Sequence, residues 1–539
     1  MNYLQKKKLA FMSIVNQVKG FVRTMIGALP LTLEGCVDEK SIIDYKMYGQ
    51  SVQDGEPTPD NPIEVVSVGE KTKNLIEYPY LDTSKTLNGL TFIDNGDGTI
   101  TVNGIAEANT TFNIATKKTS IWDGIIPNET YTLSVDVDGE YTGNISYVCN
   151  YYPEGSSSYT GWLSSAINKT VTKACPTDIA GIRSYIYIYA GAVLDNITIK
   201  PQLEKGEIAT PYEPYGKYKI PVTVSGKNLF DIDKLDTIGG ITKNEDGSIT
   251  VSGYPSGTAK TLRKLCPYLK SGKTARLSMN TNGYSHIYLK NSKASVEQYW
   301  STSSKKVITD ELLDSNVYFY RQTSAQGGGN ATISNIQIEE GEVATEYEPY
   351  VEPVTTNIYL DEPLRKVGDY ADYIDFESGK VVRNVVFHIF NGGENITLPS
   401  GIIEGYTPFR YIKNDWEAVL PFVCNYYPYN NTTYNQISGK ECLAKYYANA
   451  TQMFFITSNE RIPLNDTTVF KNWLKELYTS GKPVIVYAGT STPTETPITL
   501  PTIPTFKGTS IVSADTTIQP SNAEIEYYSN VKENNYGTI

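Results

Sequence analysis

The sequence predicts an all-β protein of tandem jelly-roll or β-sandwich domains, preceded by a short N-terminal α-helix. Two observations carry this prediction. Tyrosine is as frequent as glycine, with 42 of each in 539 residues, and tyrosine and β-branched residues suit half-buried pleated surfaces. Short runs of alternating apolar residues, bounded by turn residues, recur along the chain without intervening helical segments, a pattern typical of sandwiches.

A repeated motif sets the length of the domains. Gln202 to Tyr215 reads QLEKGEIATPYEPY, and Gln337 to Tyr350 reads QIEEGEVATEYEPY, a displacement of 135 residues. That spacing is far longer than a solenoid rung and matches a whole domain. Each copy predicts the last strand of a domain, which ends at Pro214 or Pro349 because proline donates no ladder hydrogen bond.

Two further repeats define where the domains begin. Lys-Asn-Leu starts at Lys73 and again at Lys227, and each is followed by an Asp-Gly pair, Asp97-Gly98 or Asp246-Gly247. Asp-Gly between alternating apolar residues predicts a hairpin turn. VCNYYP at 148–153 returns at 423–428, which predicts that a third domain has the same fold. The predicted organisation is an N-terminal docking or oligomerisation helix (1–29), a proline-rich collar and attachment segment (30–72), and sandwich modules at 73–216, 217–352 and 353–539.

The N-terminal helix has an apolar seam. Its residues recur at spacings of three and four, as in a short coiled coil: Phe11, Ile14, Val18, Phe21 and Met25. Such a helix either packs on its own domain or joins copies of the chain, and we favour the second, as a homotrimer. Charged and polar residues interrupt the run, so we expect neither a signal peptide nor membrane insertion.

A second helix is predicted near the C-terminus. Asp466 caps it, Val469, Phe470, Trp473 and Leu477 form its apolar face, and Gly481 ends it. The last strands are expected in TSIVSADTTI and AEIEYY.

Charge and composition exclude several classes of function. The net charge of −12 argues against a nucleic-acid partner, which requires concentrated positive charge. The six cysteines have no CxxC spacing and there are two histidines, so we expect no metal site, no cofactor and no histidine-based triad. The cysteines are expected to be reduced thiols. The Asp94–Asp97 cluster misses the EF-hand spacing and predicts a turn.

Three stretches carry a family resemblance. Tyr48 to Ile76, KNLFDIDKL from Lys227 and Trp473 to Ile498 are similar to tail-fibre and baseplate proteins of phages that infect Gram-positive bacteria. The paired motif endings resemble the final strand of carbohydrate-binding jelly rolls. The resemblance implies a non-enzymatic virion protein, assembled in the host cytoplasm, whose partners are other tail or baseplate proteins and a host cell-surface glycan.

Glycan binding by a sandwich requires exposed aromatic faces and nearby polar groups. The alternative is that the same aromatic side chains pack along strands or against a neighbouring subunit. The candidate contacts are Tyr151, Tyr152 and Trp162 in module 1, Tyr299 and Trp300 in module 2, and Tyr426, Tyr427 and Tyr434 in module 3.

No catalytic residue is assigned. Carboxylates gather between Asp361 and Glu377, but a glycosidase needs two of them held across a cleft, and turn capping is the commoner use. Three functions therefore stand in order: a fibre protein that presents glycan-binding sandwiches, a purely structural baseplate, neck or head component, and, distantly, an enzyme that depolymerises surface polysaccharide.

Overall fold

The computed structural model describes residues 45–502, except 237–239, 253–255, 283–285, 303, 321–330, 401–402, 413–417, 438, 447–448 and 464–465, and also residues 511–514 and 525–527. The predicted all-β class with tandem sandwiches is confirmed. The N-terminal helix and its seam from Phe11 to Met25 lie outside the described residues. Helices α1 to α3 span Leu262–Leu265, Asp310–Leu313 and Thr467–Thr479, and 3-10 turns span Ile232–Lys234 and Tyr434–Gln436.

Module 1 is a sandwich of two antiparallel sheets. Its larger sheet has the order Thr170–Ala174, Thr130–Thr142, Val193–Lys205, Ile100–Ile105, Leu90–Asp94 and Lys85–Leu87. Its smaller sheet has the order Thr160–Ala166, Ile145–Pro153, Ile179–Ile188 and Thr110–Lys117. Alternate residues of each strand point inward, and the core between the sheets includes the fully buried Trp122, Tyr131 and Tyr147.

Module 2 has the same strand order, which is given below starting from the opposite edge of each sheet. Its larger sheet has five strands in the described residues, against six in module 1. Its larger sheet runs Ile241–Lys243, Ile249–Val251, Ala331–Glu340, Thr274–Thr281 and Lys305–Val307. Its smaller sheet runs Ser256–Thr261, Asn316–Tyr320, His286–Asn291 and Val296–Ser301. The sequence repeat is thus a repeat of the fold.

The Asp-Gly turns are confirmed in both modules. The carboxylate of Asp97 accepts hydrogen bonds from the backbone N–H and hydroxyl of Thr99, at 2.9 and 2.7 Å. Asp246 accepts the same pair from Ser248, at 3.0 and 2.6 Å. The glycine that follows each aspartate has a positive φ, 85° at Gly98 and 78° at Gly247, which only glycine adopts at low cost.

The repeated motif forms a buried hydrogen-bond cluster, which we call the clasp. The carboxylate of Glu204 accepts from the backbone N–H of Thr210 (2.7 Å), from its hydroxyl (2.8 Å) and from the side-chain amide of Gln202 (3.0 Å). The carbonyl oxygen of the Gln202 side chain accepts from the backbone N–H of Glu213 at 2.7 Å. The clasp therefore folds the end of the motif back onto the last strand.

Asn74 ties the start of module 1 to this cluster. Its amide nitrogen donates to the carbonyl oxygens of Pro201 and Glu213, each at 3.1 Å. Its side-chain oxygen accepts from the backbone N–H groups of Ile76 and Leu203, at 3.1 and 3.2 Å. The same bonds recur in module 2, where the matching residues are Asn228, Gln337, Glu339, Thr345 and Glu348.

A third body, the base, is assembled from distant parts of the chain. Its first sheet runs Val354–Leu360, Tyr218–Ser225 and Ile511–Ala514, and Glu70–Lys71 pairs with the start of Tyr218–Ser225. Its second sheet runs Ala418–Cys424, Val484–Pro497, Lys380–Phe390, Tyr373–Asp375, Tyr45–Tyr48 and Ile525–Tyr527. Small ladders join Ser51–Val52 to Val66–Ser67 and Lys366–Val367 to Tyr370–Ala371. The core of the base includes Met47, Ile220, Val222, Ile358 and Ile374.

The base differs from the collar predicted by the sequence. The sequence predicts a proline-stiffened collar over 30–72, but the strands in its described part, 45–72, pair with Tyr218–Ser225 and Tyr373–Asp375. Modules 1 and 2 each leave the base and return to it through neighbouring strands. Pairing over such distances in the sequence leaves no local pattern.

The C-terminal lobe shares the long strands of the base. Its own sheet runs Ile396–Thr397, Tyr406–Ile412, Asn449–Ser458, Cys442–Tyr446 and Tyr429–Thr433, the last two strands being parallel. The predicted helix is confirmed as α3, with Asp466 accepting from the N–H groups of Thr468 and Val469. The strand order differs from that of modules 1 and 2, so the recurrence of VCNYYP does not reflect a common topology.

Candidate functional site

Most of the aromatic residues predicted as glycan contacts are buried. Six of them have side chains that are at most 7% exposed: Tyr152, Trp162, Trp300, Tyr426, Tyr427 and Tyr434. Trp162 and Trp300 direct their indole N–H groups to the carbonyl oxygens of Ala174 (3.0 Å) and Ser304 (3.1 Å). For these six residues the structure contradicts the predicted glycan contact. Large aromatic residues give one sequence signal for a core and for a binding face, and burial leaves no ring face for a ligand.

The two remaining candidates lie in different environments. Tyr151 is half-buried and packs against the core of module 1. Tyr299 is 50% exposed on the outer side of the smaller sheet of module 2. Only Tyr299 of the eight predicted residues therefore presents a largely open ring.

Tyr299 belongs to a row of three tyrosines on adjacent strands, which we call the tyrosine row. Tyr288 pairs in register with Tyr299 on one side and with Tyr318 on the other. The ring centroids are 4.9 Å apart for Tyr288 and Tyr299 and 6.1 Å apart for Tyr288 and Tyr318, with interplanar angles of 37° and 49°. The three rings therefore lie side by side across three strands, each tilted relative to its neighbour.

Polar groups flank the tyrosine row. Lys290 and Glu297 pair two register positions from Tyr288 and Tyr299, with Nζ and Oε1 2.9 Å apart. The Lys290 ammonium, aided by a hydrogen bond from Tyr288, holds the pKa of Glu297 below its ordinary value. On the other flank the His286 ring meets Tyr299 edge to face at 4.9 Å. Aromatic surface edged by ionic groups is the combination that sugar rings and their hydroxyls require.

Module 1 also has three tyrosines on the outer side of its smaller sheet. We call these three residues the tyrosine ladder. Tyr185, Tyr187 and Tyr189 alternate with the buried Ile186 and Ile188 along one strand and just beyond it. The ring centroids are 6.5 Å apart for Tyr185 and Tyr187 and 4.9 Å apart for Tyr187 and Tyr189. Because side chains alternate along a strand, the tyrosine ladder of module 1 runs along one strand. The tyrosine row of module 2 instead crosses three strands.

Arg183 lies at the Tyr185 end of the tyrosine ladder. Its guanidinium lies 4.4 Å from the centroid of Tyr159 and 5.3 Å from that of Tyr185. Tyr159 is 46% exposed, and its ring covers Tyr152, with centroids 6.1 Å apart. Tyr152 is therefore on this side of the sheet but shielded by Tyr159.

The ladder and two members of the row are not among the residues predicted from the sequence. The alternating tyrosines in SYIYIY (184–189) predict a β-strand. The period of two, with isoleucine at the intervening positions, already places these tyrosines on the solvent side of a half-buried strand. For Tyr288 and Tyr318 the sequence holds no such signal, because their adjacency comes from strand pairing.

The carboxylates near residue 370 have structural partners. Asp372 is fully buried and accepts hydrogen bonds from the backbone N–H groups of Arg365, Asn384 and Val385 and from Arg383 Nη1 at 3.1 Å. Glu362 pairs with Arg365 at 2.6 Å. Within the described ranges, no group of three or more His, Cys, Asp and Glu side chains could hold a metal ion. In the same ranges, no helix is long and apolar enough to span a bilayer.

An open groove of about 600 Å³ lies between the base and the C-terminal lobe. Arg461 stands in it, with its guanidinium nitrogens 2.6 Å from Asp60 Oδ2 and 3.1 Å from Glu441 Oε1. Glu56, Thr58 and Tyr406 also line the groove. Because Arg461 is held by two carboxylates, we interpret this cluster as a connection between the two bodies.

Comparison with solved structures finds several chains similar to this one. The chain is similar to the N-terminal CBM22-1-CBM22-2 tandem domain from Paenibacillus barcinonensis Xyn10C, with 11% identity and a TM-score of 0.18 over 51% of this chain and 100% of that one. No protein-family model matches the sequence. No curated protein matches it either.

Proposed function

We propose that this chain is a non-enzymatic binding protein whose tyrosine row and tyrosine ladder hold glycan chains. The observation that carries the proposal is the in-register alignment of Tyr299, Tyr288 and Tyr318 on the open side of a sheet. The rings of tyrosine offer an apolar face for a pyranose, and their hydroxyls can bond its hydroxyl groups. Cross-strand aromatic pairs stabilise a sheet by about 0.2–1 kcal/mol each, and on a solvent-facing sheet the same rings can also contact a ligand.

The duplication of the face supports binding to a polymeric ligand. Modules 1 and 2 share their strand order, and each carries tyrosines on the smaller sheet. Two weak sites on one chain raise the overall affinity for a ligand that reaches both. A homotrimer would multiply the number of sites further.

We also propose that the chain is carried on a phage virion as a tail-fibre or receptor-binding protein, after assembly in the host cytoplasm. The similarity of Tyr48 to Ile76 and of Trp473 to Ile498 to phage tail-fibre and baseplate proteins supports this part. On this proposal the two faces touch host cell-surface glycan, and the remainder contacts other virion proteins.

The test is a glycan array and a host-cell adsorption assay with the full chain. Tyr288→Ala with Tyr299→Ala removes the row, and Tyr185→Ala with Tyr187→Ala removes the ladder. We expect each double variant to weaken glycan binding about tenfold or more, since central aromatic contacts cost about 2 kcal/mol or more on truncation. Tyr478→Ala is the matched control, because Tyr478 is 49% exposed on α3, away from both faces.

The outcomes separate the candidate functions. Wild-type binding that both double variants leave intact would contradict the assignment of these faces. A wild-type chain that adsorbs to no host cell and binds no glycan would leave the purely structural role. Release of new reducing ends from host wall material would instead establish the polysaccharide-cleaving enzyme.

A further inference from the structure

The two tyrosine surfaces differ in charge. In module 2 the cation beside the row, Lys290, is neutralised by Glu297 at 2.9 Å. In module 1 the cation beside the ladder is Arg183, and within the described part of the chain it makes neither an ion pair nor a hydrogen bond. Its guanidinium lies over the faces of the Tyr159 and Tyr185 rings.

The stacking leaves Arg183 prepared for a ligand. A guanidinium that lies against aromatic rings keeps its N–H donors in its own plane, and these donors match a carboxylate or phosphate in bidentate fashion. The side chain is half-buried, so the rings fix it before a ligand arrives and less freedom is lost on binding.

The sheet places Arg183 in line with the ladder. Arg183, Tyr185 and Tyr187 occupy every second position of one strand and therefore point to the same side of it. A sugar that stacks on Tyr185 thus brings its substituents next to the guanidinium.

We propose that module 1 selects glycans that carry an anionic group, with Arg183 as the residue that determines this specificity, while module 2 accepts neutral sugars. The proposal rests on the proposed glycan binding and adds the chemical class of the ligand. The anionic group is a carboxylate or a phosphate, since the guanidinium fork fits both.

The experiment uses the full chain with Tyr288→Ala and Tyr299→Ala, so that only module 1 binds. The probes are matched pairs: tetragalacturonic acid with its methyl ester, and phosphorylated maltotetraose with maltotetraose. We expect the acidic member of at least one pair to bind about tenfold more tightly at low salt, and the two pairs distinguish carboxylate from phosphate. Arg183→Met keeps the apolar stem between the rings and should abolish the preference, whereas Arg183→Lys should restore part of it.

Each result decides a different point. Binding with no preference for either acidic probe, or a preference that survives in Arg183→Met, would overturn the role of Arg183 and leave the glycan-binding proposal standing. If no probe binds either the Tyr288→Ala/Tyr299→Ala chain or the unmutated chain, the result would count against the glycan-binding proposal itself. Arg263→Met in the same double-variant chain is the control: Arg263 pairs with Asp310 and Asp314 and belongs to neither tyrosine surface, so its loss should leave the acidic preference unchanged.

Discussion

Tyr299 and Trp300 are neighbours on one strand and point to opposite sides of it: the Tyr299 side chain is 50% exposed, and that of Trp300 is fully buried. Trp300 contributes to the core of module 2, and Tyr299 contributes to the tyrosine row. One aromatic side chain of this pair stabilises a core and its neighbour is exposed to solvent. Variants at the two positions therefore test whether Trp300 is a core residue and Tyr299 a glycan contact.

Trp300→Ala should destabilise module 2 by about 3–5 kcal/mol, the usual cost of truncating a buried tryptophan. Tyr299→Ala should change stability by no more than about 0.5 kcal/mol, as at most surface positions, while weakening glycan binding. Differential scanning calorimetry of the full chain measures the first effect and the glycan array the second. Equal destabilisation by the two variants would contradict the assignment.

Asn74→Ala should destabilise module 1 by about 2–4 kcal/mol. The side chain is 3% exposed and its four hydrogen bonds join the start of the module to the clasp. The loss leaves buried backbone groups without partners, at about 1–3 kcal/mol each before relaxation. Calorimetry should show one transition shifted to lower temperature, and the matched variant Asn228→Ala should shift a different one. A single transition moved by both variants would refute independent clasps.

The Asp60–Arg461 ion pair should weaken in acid. The hydrogen bond from Arg461 holds the pKa of Asp60 below its ordinary value of 3.8. A depressed folded-state pKa means that the pair contributes stability above the ordinary value and loses it as the pH falls through the folded-state value. A carboxyl ¹³C NMR titration should place the midpoint of Asp60 below 3.8, and Arg461→Met should return it to the ordinary range. An Asp60 titration midpoint that is the same in the wild type and in Arg461→Met would contradict the ion pair.

The described thiols should be unreactive in the folded chain. Cys149, Cys175, Cys266, Cys424 and Cys442 are all buried and unbridged, and burial raises the pKa of Cys175 to about 11 and that of Cys424 to about 12. At pH 8 a thiol with a pKa near 11 is about one-thousandth thiolate, and the thiolate is the reactive form. In a Cys36→Ser chain, Ellman's reagent should react slowly with the native protein and promptly in guanidinium. Rapid labelling of the folded chain would contradict the burial.

The sequence predicts what is local or repeated. The strand class, the Asp-Gly turns, the α3 cap at Asp466 and the duplication of modules 1 and 2 follow from patterns within a few residues or from direct repetition. The base does not, because its strands come from segments more than a hundred residues apart whose pairing is decided only in the folded chain.

The candidate site shows the same division. Aromatic residues in predicted turns and loops are candidate contacts by sequence, yet Tyr426 and Tyr427 fill a core. The outward position of Tyr185 and Tyr187 can be predicted from their period of two. The tyrosine row cannot be predicted in this way, because the register between strands places Tyr288 beside Tyr318.

The paired strands at the foot of each module have an evolutionary consequence. Lys71 lies beside Tyr218, and Val224 lies beside Val354, so each sandwich is attached by two chain ends that are already side by side. A segment bounded by such ends can be exchanged for another of similar span without moving the strands that hold it. Recombination between related genes can thereby replace one sandwich while the strands of the base that hold it remain the same.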